Sequence, residues 1–144
     1  MTSADPRKAS NFRVNSFATL VMLLLEIGIG MGVNLLTALP AHDTGKSLFA
    51  AYGSAVTNGP LILTIHALLG TLIAISGATA LVRAIKLRSM VPIVISGIAL
   101  LAILAAWLSG SAFVGAQANG ASLAMAMASV IATFCYALIL FIRP

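Results

Sequence analysis

Acidic side chains are almost missing from this chain. Asp5, Glu26 and Asp43 are the only three, and charged residues of all kinds make up 8% of it. A soluble domain carries about 25%. With 60% hydrophobic residues and a mean hydropathy of +1.09, the chain has too little polar surface to clothe a small water-soluble globule. A single cysteine, Cys135, excludes an intrachain disulfide and a cysteine-rich metal site, and it sits in an apolar run where it packs as a small hydrophobe. No GxSxG, HExxH, phosphate-loop or dinucleotide fingerprint is present; DTGKS (43–47) lacks the upstream glycine of a phosphate loop. The net charge of +5 is not a nucleic-acid footprint either. The basic residues stand at the ends of apolar runs, not along a groove interleaved with stacking aromatics.

What is present is length of apolar sequence. Four stretches, 14–39, 60–82, 92–112 and 121–142, are each long enough to cross a bilayer as a helix, since about 20 residues span the roughly 30 Å hydrocarbon core. The first is too long for a cleaved signal, and Leu39 is a poor residue for the cleavage-site lookalike around Ala41. The expectation is an all-α polytopic membrane protein. It has a polar tail over 1–12, disordered and cytoplasmic, and one four-helix transmembrane domain over 13–144. Between spans one and two, Leu48, Phe49, Tyr52 and Val56 recur at helical spacing after a possible cap at Asp43 or Thr44, and Asn58-Gly59-Pro60 is a stop. They predict a short amphipathic helix on the outer membrane surface, with Tyr52 at headgroup level.

The basic residues orient the spans. Arg7, Lys8, Arg13, Arg83, Lys86, Arg88 and Arg143 fall on one side, and Lys46 alone on the other. The positive-inside rule makes the first side cytoplasmic, so both termini lie there. Each span also has a small or polar stripe for its neighbours. These are the Gly28/Gly32 pair within GIGMG; His66, Gly70, Ile73 and Gly77; Ser96, Gly97 and Gly110; and Ser122, Met125, Ser129, Thr133 and Tyr136. Leu123, Val130, Ile131, Phe134, Leu138 and Phe141 are left for lipid.

Few residues within the spans carry chemistry. Glu26 is the only acid inside one, and a charge at bilayer centre costs at least about 2.5–3.5 kcal/mol. It is a candidate proton or cation group; equally, it is a neutral acid bonded across helices to Ser96, Thr133 or Tyr136. His66 falls at a depth similar to that of Asn34 and Met125, near Trp107 and Ser109, with Gly70 one turn on. Such a layer suits a ligand. His66 with Met125 is a conceivable axial pair for haem b, and Gly70 would let a flat macrocycle approach. A bis-histidine site lacks its second intramembrane histidine, since His42 lies in the outer connection. The plainer alternative is a neutral His66 hydrogen-bonded to Asn34 or a serine; a quinone or a metal are other candidate ligands.

HALLG (66–70) with ASLAMAMASVIATFCYAL (121–138) resembles a group of small, uncharacterised four-helix bacterial membrane proteins. The resemblance implies a bacterial plasma-membrane setting and no activity. The leading functional expectation is a non-catalytic accessory subunit or homo-oligomer, whose partners are the bilayer and other membrane subunits. A haem-binding electron-transfer module built on His66 and a proton or cation transporter built on Glu26 stand as alternatives.

Overall fold

The computed structural model describes residues 5–37 and 44–142. Five helices follow one another: α1 (Pro6–Leu36), α2 (Leu48–Thr57), α3 (Leu61–Leu87), α4 (Met90–Ala116) and α5 (Asn119–Phe141). All but α2 are long and apolar enough to cross a membrane, so this is a multi-pass membrane protein. The four long helices run up-down-up-down, and each meets two neighbours, in the ring order α1, α3, α4, α5. The α1–α5 seam is the loosest of the four. The short α2 lies across α3 and α4 at the end of the bundle opposite the termini.

The helices are longer than their apolar cores. α1 begins at Pro6, not after residue 12: Asp5 caps it by accepting from the Arg7 N–H at 3.0 Å, and proline suits its first turn. The segment expected as a disordered tail is therefore helical from residue 6, and Phe12 is buried in the core. At that end Arg83 Nη1 donates to the Asn11 carbonyl at 2.6 Å, and Arg13 Nη2 donates to the Leu140 carbonyl at 3.0 Å. The second bond places a cation on the last turn of α5, where unpaired carbonyls gather negative charge. The stretches left between the expected spans, 83–91 and 113–120, shrink to Arg88-Ser89 and Gln117-Ala118. Arg88 and Gln117 turn the chain in left-handed conformation, with φ of 55° and 52°.

The expected lipid face of α5 is outside: Leu123, Val130, Ile131, Phe134, Leu138 and Phe141 are all exposed. Ser129 and Tyr136, from the stripe expected to face neighbours, are buried. The core has two parts. Toward the termini, Phe12, Leu23, Ile73, Ile103 and Tyr136 belong to one cluster. Toward α2, Val33, Ala51, Ala55, Leu63 and Val114 form a second.

The short helix exists, but its buried face differs from expectation. Ala51, Ser54 and Ala55 are buried, whereas Phe49 is 75% exposed. Ser47 precedes it; Asp43 lies outside the described residues, and Thr44 is in a turn. Tyr52 turns inward: its hydroxyl lies 2.7 Å from Thr71 Oγ1, and Trp107 Nε1 donates to the same oxygen at 3.2 Å. Thr71 spends its one proton on the Ala67 carbonyl at 3.0 Å, so Tyr52 is the donor to Thr71. One hydroxyl thus joins α2 and α4 to α3.

Candidate functional site

Antiparallel α1 and α3 bring together the two ionisable residues that sequence reasoning had kept apart. Glu26 Oε1 lies 3.0 Å from His66 Nδ1, and both side chains are largely buried. The contact has the distance of a charge-assisted bond without its alignment, because the Nδ1–H direction misses the oxygen. Glu26 Oε2 is buried and has no hydrogen-bond partner among the described residues.

Two glycines make this approach possible. A Cβ on Gly30 would sit 2.8 Å from His66 Cε1, and a Cβ on Gly70 would sit 3.0 Å from Glu26 Oε1. The arrangement is reciprocal. Glu26 has Gly30 one turn on; His66 has Gly70 one turn on; each side chain occupies the space left by the other helix's glycine. The Gly28/Gly32 pair does not provide this contact: among the described residues a Cβ on Gly28 would meet nothing within 4 Å, and one on Gly32 would meet only Ile62.

The pair forms part of the wall of a cavity of about 280 Å³ between the two core clusters. Leu23, Ile73 and Ile103 lie on its side toward the termini, and Val33, Leu63 and Val114 on its side toward α2. Asn34, His66, Gly70, Trp107 and Met125, the layer read from the sequence, all line it; Ser109 does not. Glu26 and Tyr52 join them. Met31 of α1 and Val130 of α5 line the cavity while being 60% and 55% exposed on the bundle surface. The cavity therefore opens sideways at the loose α1–α5 seam.

Compared with protein-family models, curated proteins and solved structures, the chain matches none. The chemistry must come from the cavity itself.

The neighbours expected for Glu26 are elsewhere. Thr133 donates to the Ser129 carbonyl at 2.8 Å, while Ser96 Oγ and Tyr136 Oη are buried without partners among the described residues. Tyr136 Oη instead faces Gly77, 3.3 Å from where a Cβ would be. His66 meets Glu26 rather than Asn34 or a serine. The space beside Gly70, expected to admit a macrocycle, holds the Glu26 carboxylate. His42 lies outside the described residues, and no group of three metal-binding side chains occurs among those described. Sequence reasoning missed the Glu26–His66 contact, although the two E-xxx-G and H-xxx-G spacings were its available signal.

The hydrogen bonds around the cavity are unevenly spent. Tyr52 and Trp107 give theirs to Thr71. Ser111 and Ser129 donate to the carbonyls of Trp107 and Met125 on their own helices. What remains is a carboxylate, two aromatic rings with centroids 4.9 Å apart, the thioether of Met125, and the polar groups of Asn34, Ser122 and His66. Such a wall can hold a small, largely apolar molecule and orient one polar end of it.

Proposed function

We propose that this protein is a non-catalytic ligand-binding membrane protein that takes a small amphiphile from the surrounding lipid. The ligand's polar end lies at Glu26 and His66, and its apolar part extends through the α1–α5 seam. The observation that carries this is the ionisable pair lining a cavity that opens toward lipid. An ionisable residue at membrane depth is costly, and it is retained where a partner or a ligand uses it. The cavity volume of about 280 Å³ lies just under the ~300–1,000 Å³ of drug-sized sites. That favours a ligand smaller than haem b.

The same reading sets the protein in a bacterial plasma membrane with both termini cytoplasmic, alone or as an accessory subunit in a homo-oligomer or larger complex. Six described basic residues at the terminal end of the bundle, Arg7 to Arg13 on α1 and Arg83 to Arg88 on and after α3, support the orientation. The resemblance of HALLG and the α5 sequence to small bacterial four-helix proteins supports the setting.

Photolabelling tests the binding site. Two decyl diazirines, one with a neutral amide head and one with a trimethylammonium head, are added to the protein in lipid nanodiscs. Saturable, competable label on the Glu26–Asn34 segment from either probe is expected. Label spread evenly over lipid-facing residues such as Leu72 and Phe134, for both probes, would refute the proposal.

A further inference from the structure

We infer that the ligand of this cavity is a lipophilic cation, and that it binds in exchange for the proton held between Glu26 and His66. The inference rests on the cavity being a ligand site, as proposed above, and adds the ligand's charge and the ion it displaces.

The first ground is charge balance. Among the described residues, the ionisable side chains that line the cavity are Glu26 from α1, Tyr52 from α2 and His66 from α3; α4 and α5 contribute none. Lys46, ahead of α2, places its Nζ 2.9 Å from Ser54 Oγ and is not part of the wall. In the proposed resting state Glu26 and His66 share one proton and are net neutral, as carboxylate with imidazolium or as acid with imidazole. A cation entering that state would bring a net positive charge into a low-dielectric site, which is strongly unfavourable. Loss of the shared proton to water removes the excess. The carboxylate then faces the ligand's charge, the imidazole stays neutral, and the cavity is neutral before and after.

The second ground is the donor inventory. The Tyr52, Trp107, Ser111 and Ser129 donors are already committed, which leaves Asn34, Ser122 and the His66 imidazole as the described lining groups able to donate. Glu26 Oε2 is a buried acceptor with no hydrogen-bond partner among the described residues, and the Tyr52 and Trp107 rings suit a cation over their faces. The third ground is the poor alignment of the pair and the unsatisfied Oε2. His66 is an incomplete partner for the carboxylate, so exchanging it for a ligand cation sacrifices no well-formed hydrogen bond.

Trp107, the single tryptophan, lines the cavity and reports occupancy. The protein in nanodiscs is titrated with decylpyridinium, a permanently charged quencher, and separately with neutral decylbenzoquinone, between pH 5.5 and 8.5. Saturable quenching by decylpyridinium is expected. Raising the pH favours the deprotonated pair, so its Kd falls as pH rises, by up to tenfold per unit for a one-proton exchange. A weakly buffered sample with a pH dye releases close to one proton per cation bound, a count that depends on no variant. Glu26→Gln binds the cation at least tenfold more weakly. Saturable quenching by the quinone alone, or cation binding without proton release, would overturn the exchange and leave the ligand site standing. Saturable quenching by neither would overturn both.

Discussion

Gly30→Ala, compared with Gly28→Ala, tests the packing on which the site depends. The two positions lie in one helix, two residues apart, and share the same backbone class. Alanine gains up to about 1 kcal/mol of helix propensity over glycine at either place. Their surroundings differ. The new methyl at position 28 meets nothing within 4 Å, whereas at position 30 it would be 2.8 Å from His66 Cε1. Ordinary contact begins near 3.4 Å, so the ring must retreat by about 0.6 Å. His66 already bears on Glu26 at 3.0 Å and cannot give way without disturbing that contact. Overpacking of this kind costs about 1–3 kcal/mol. Subtracting one variant from the other cancels propensity and leaves the steric cost, so Gly30→Ala should be the less stable by about 1–3 kcal/mol. Reversible unfolding in mixed detergent measures the difference, and the imidazole ¹⁵N shifts of His66 show whether the ring has moved. Equal stabilities with unchanged His66 shifts would refute the reasoning.

Other expectations follow from separate contacts. Thr71→Val removes the acceptor shared by Tyr52 and Trp107; it should cost about 1–3 kcal/mol and shift Trp107 emission, and no change in either would contradict the junction. His66→Ala leaves Glu26 buried without its neighbour and should cost about 3–5 kcal/mol; adding Glu26→Gln should restore part of the loss, and strictly additive unfolding free energies would exclude the coupling. A reporter enzyme fused to the carboxyl end should be active only when it is a cytoplasmic reporter; activity of a periplasmic reporter there would reverse the orientation. Protein purified from haem-replete cells should lack a Soret band, and a band lost in His66→Ala would restore the haem alternative.

The four spans were legible because lipid leaves little choice: a segment that crosses must be long and apolar. The lipid face of α5 was legible for the same reason, since Phe134 and Phe141 have no other solvent to prefer. Helix ends were not. Residues 6–13 and 113–116 are helical beyond the apolar runs that were read as spans. A helix satisfies its own backbone in water as well as in lipid, so hydropathy marks the bilayer rather than the helix. Asn34, Met125 and His66, set at one depth by counting along the spans, all line the cavity. The identity of the neighbours was hidden, because it depends on the register of α1 against α3. The intervening connection and α2 leave that register free in the sequence; packing at Gly30 and Gly70 fixes it together with the Arg83–Asn11 and Thr19–Ser76 contacts.

The reciprocal seating of Glu26 and His66 also limits how the bundle can move. Each side chain sits in a notch cut into the opposing helix, and the two notches are one turn apart. A piston stroke of α1 along α3 would drive both side chains against backbone at once, so longitudinal slip is blocked in either direction. Swinging α5 away from α1 breaks neither seat. A separation of α5 from α1 would therefore leave the α1–α3 contact intact and would have to break the Arg13–Leu140 bond.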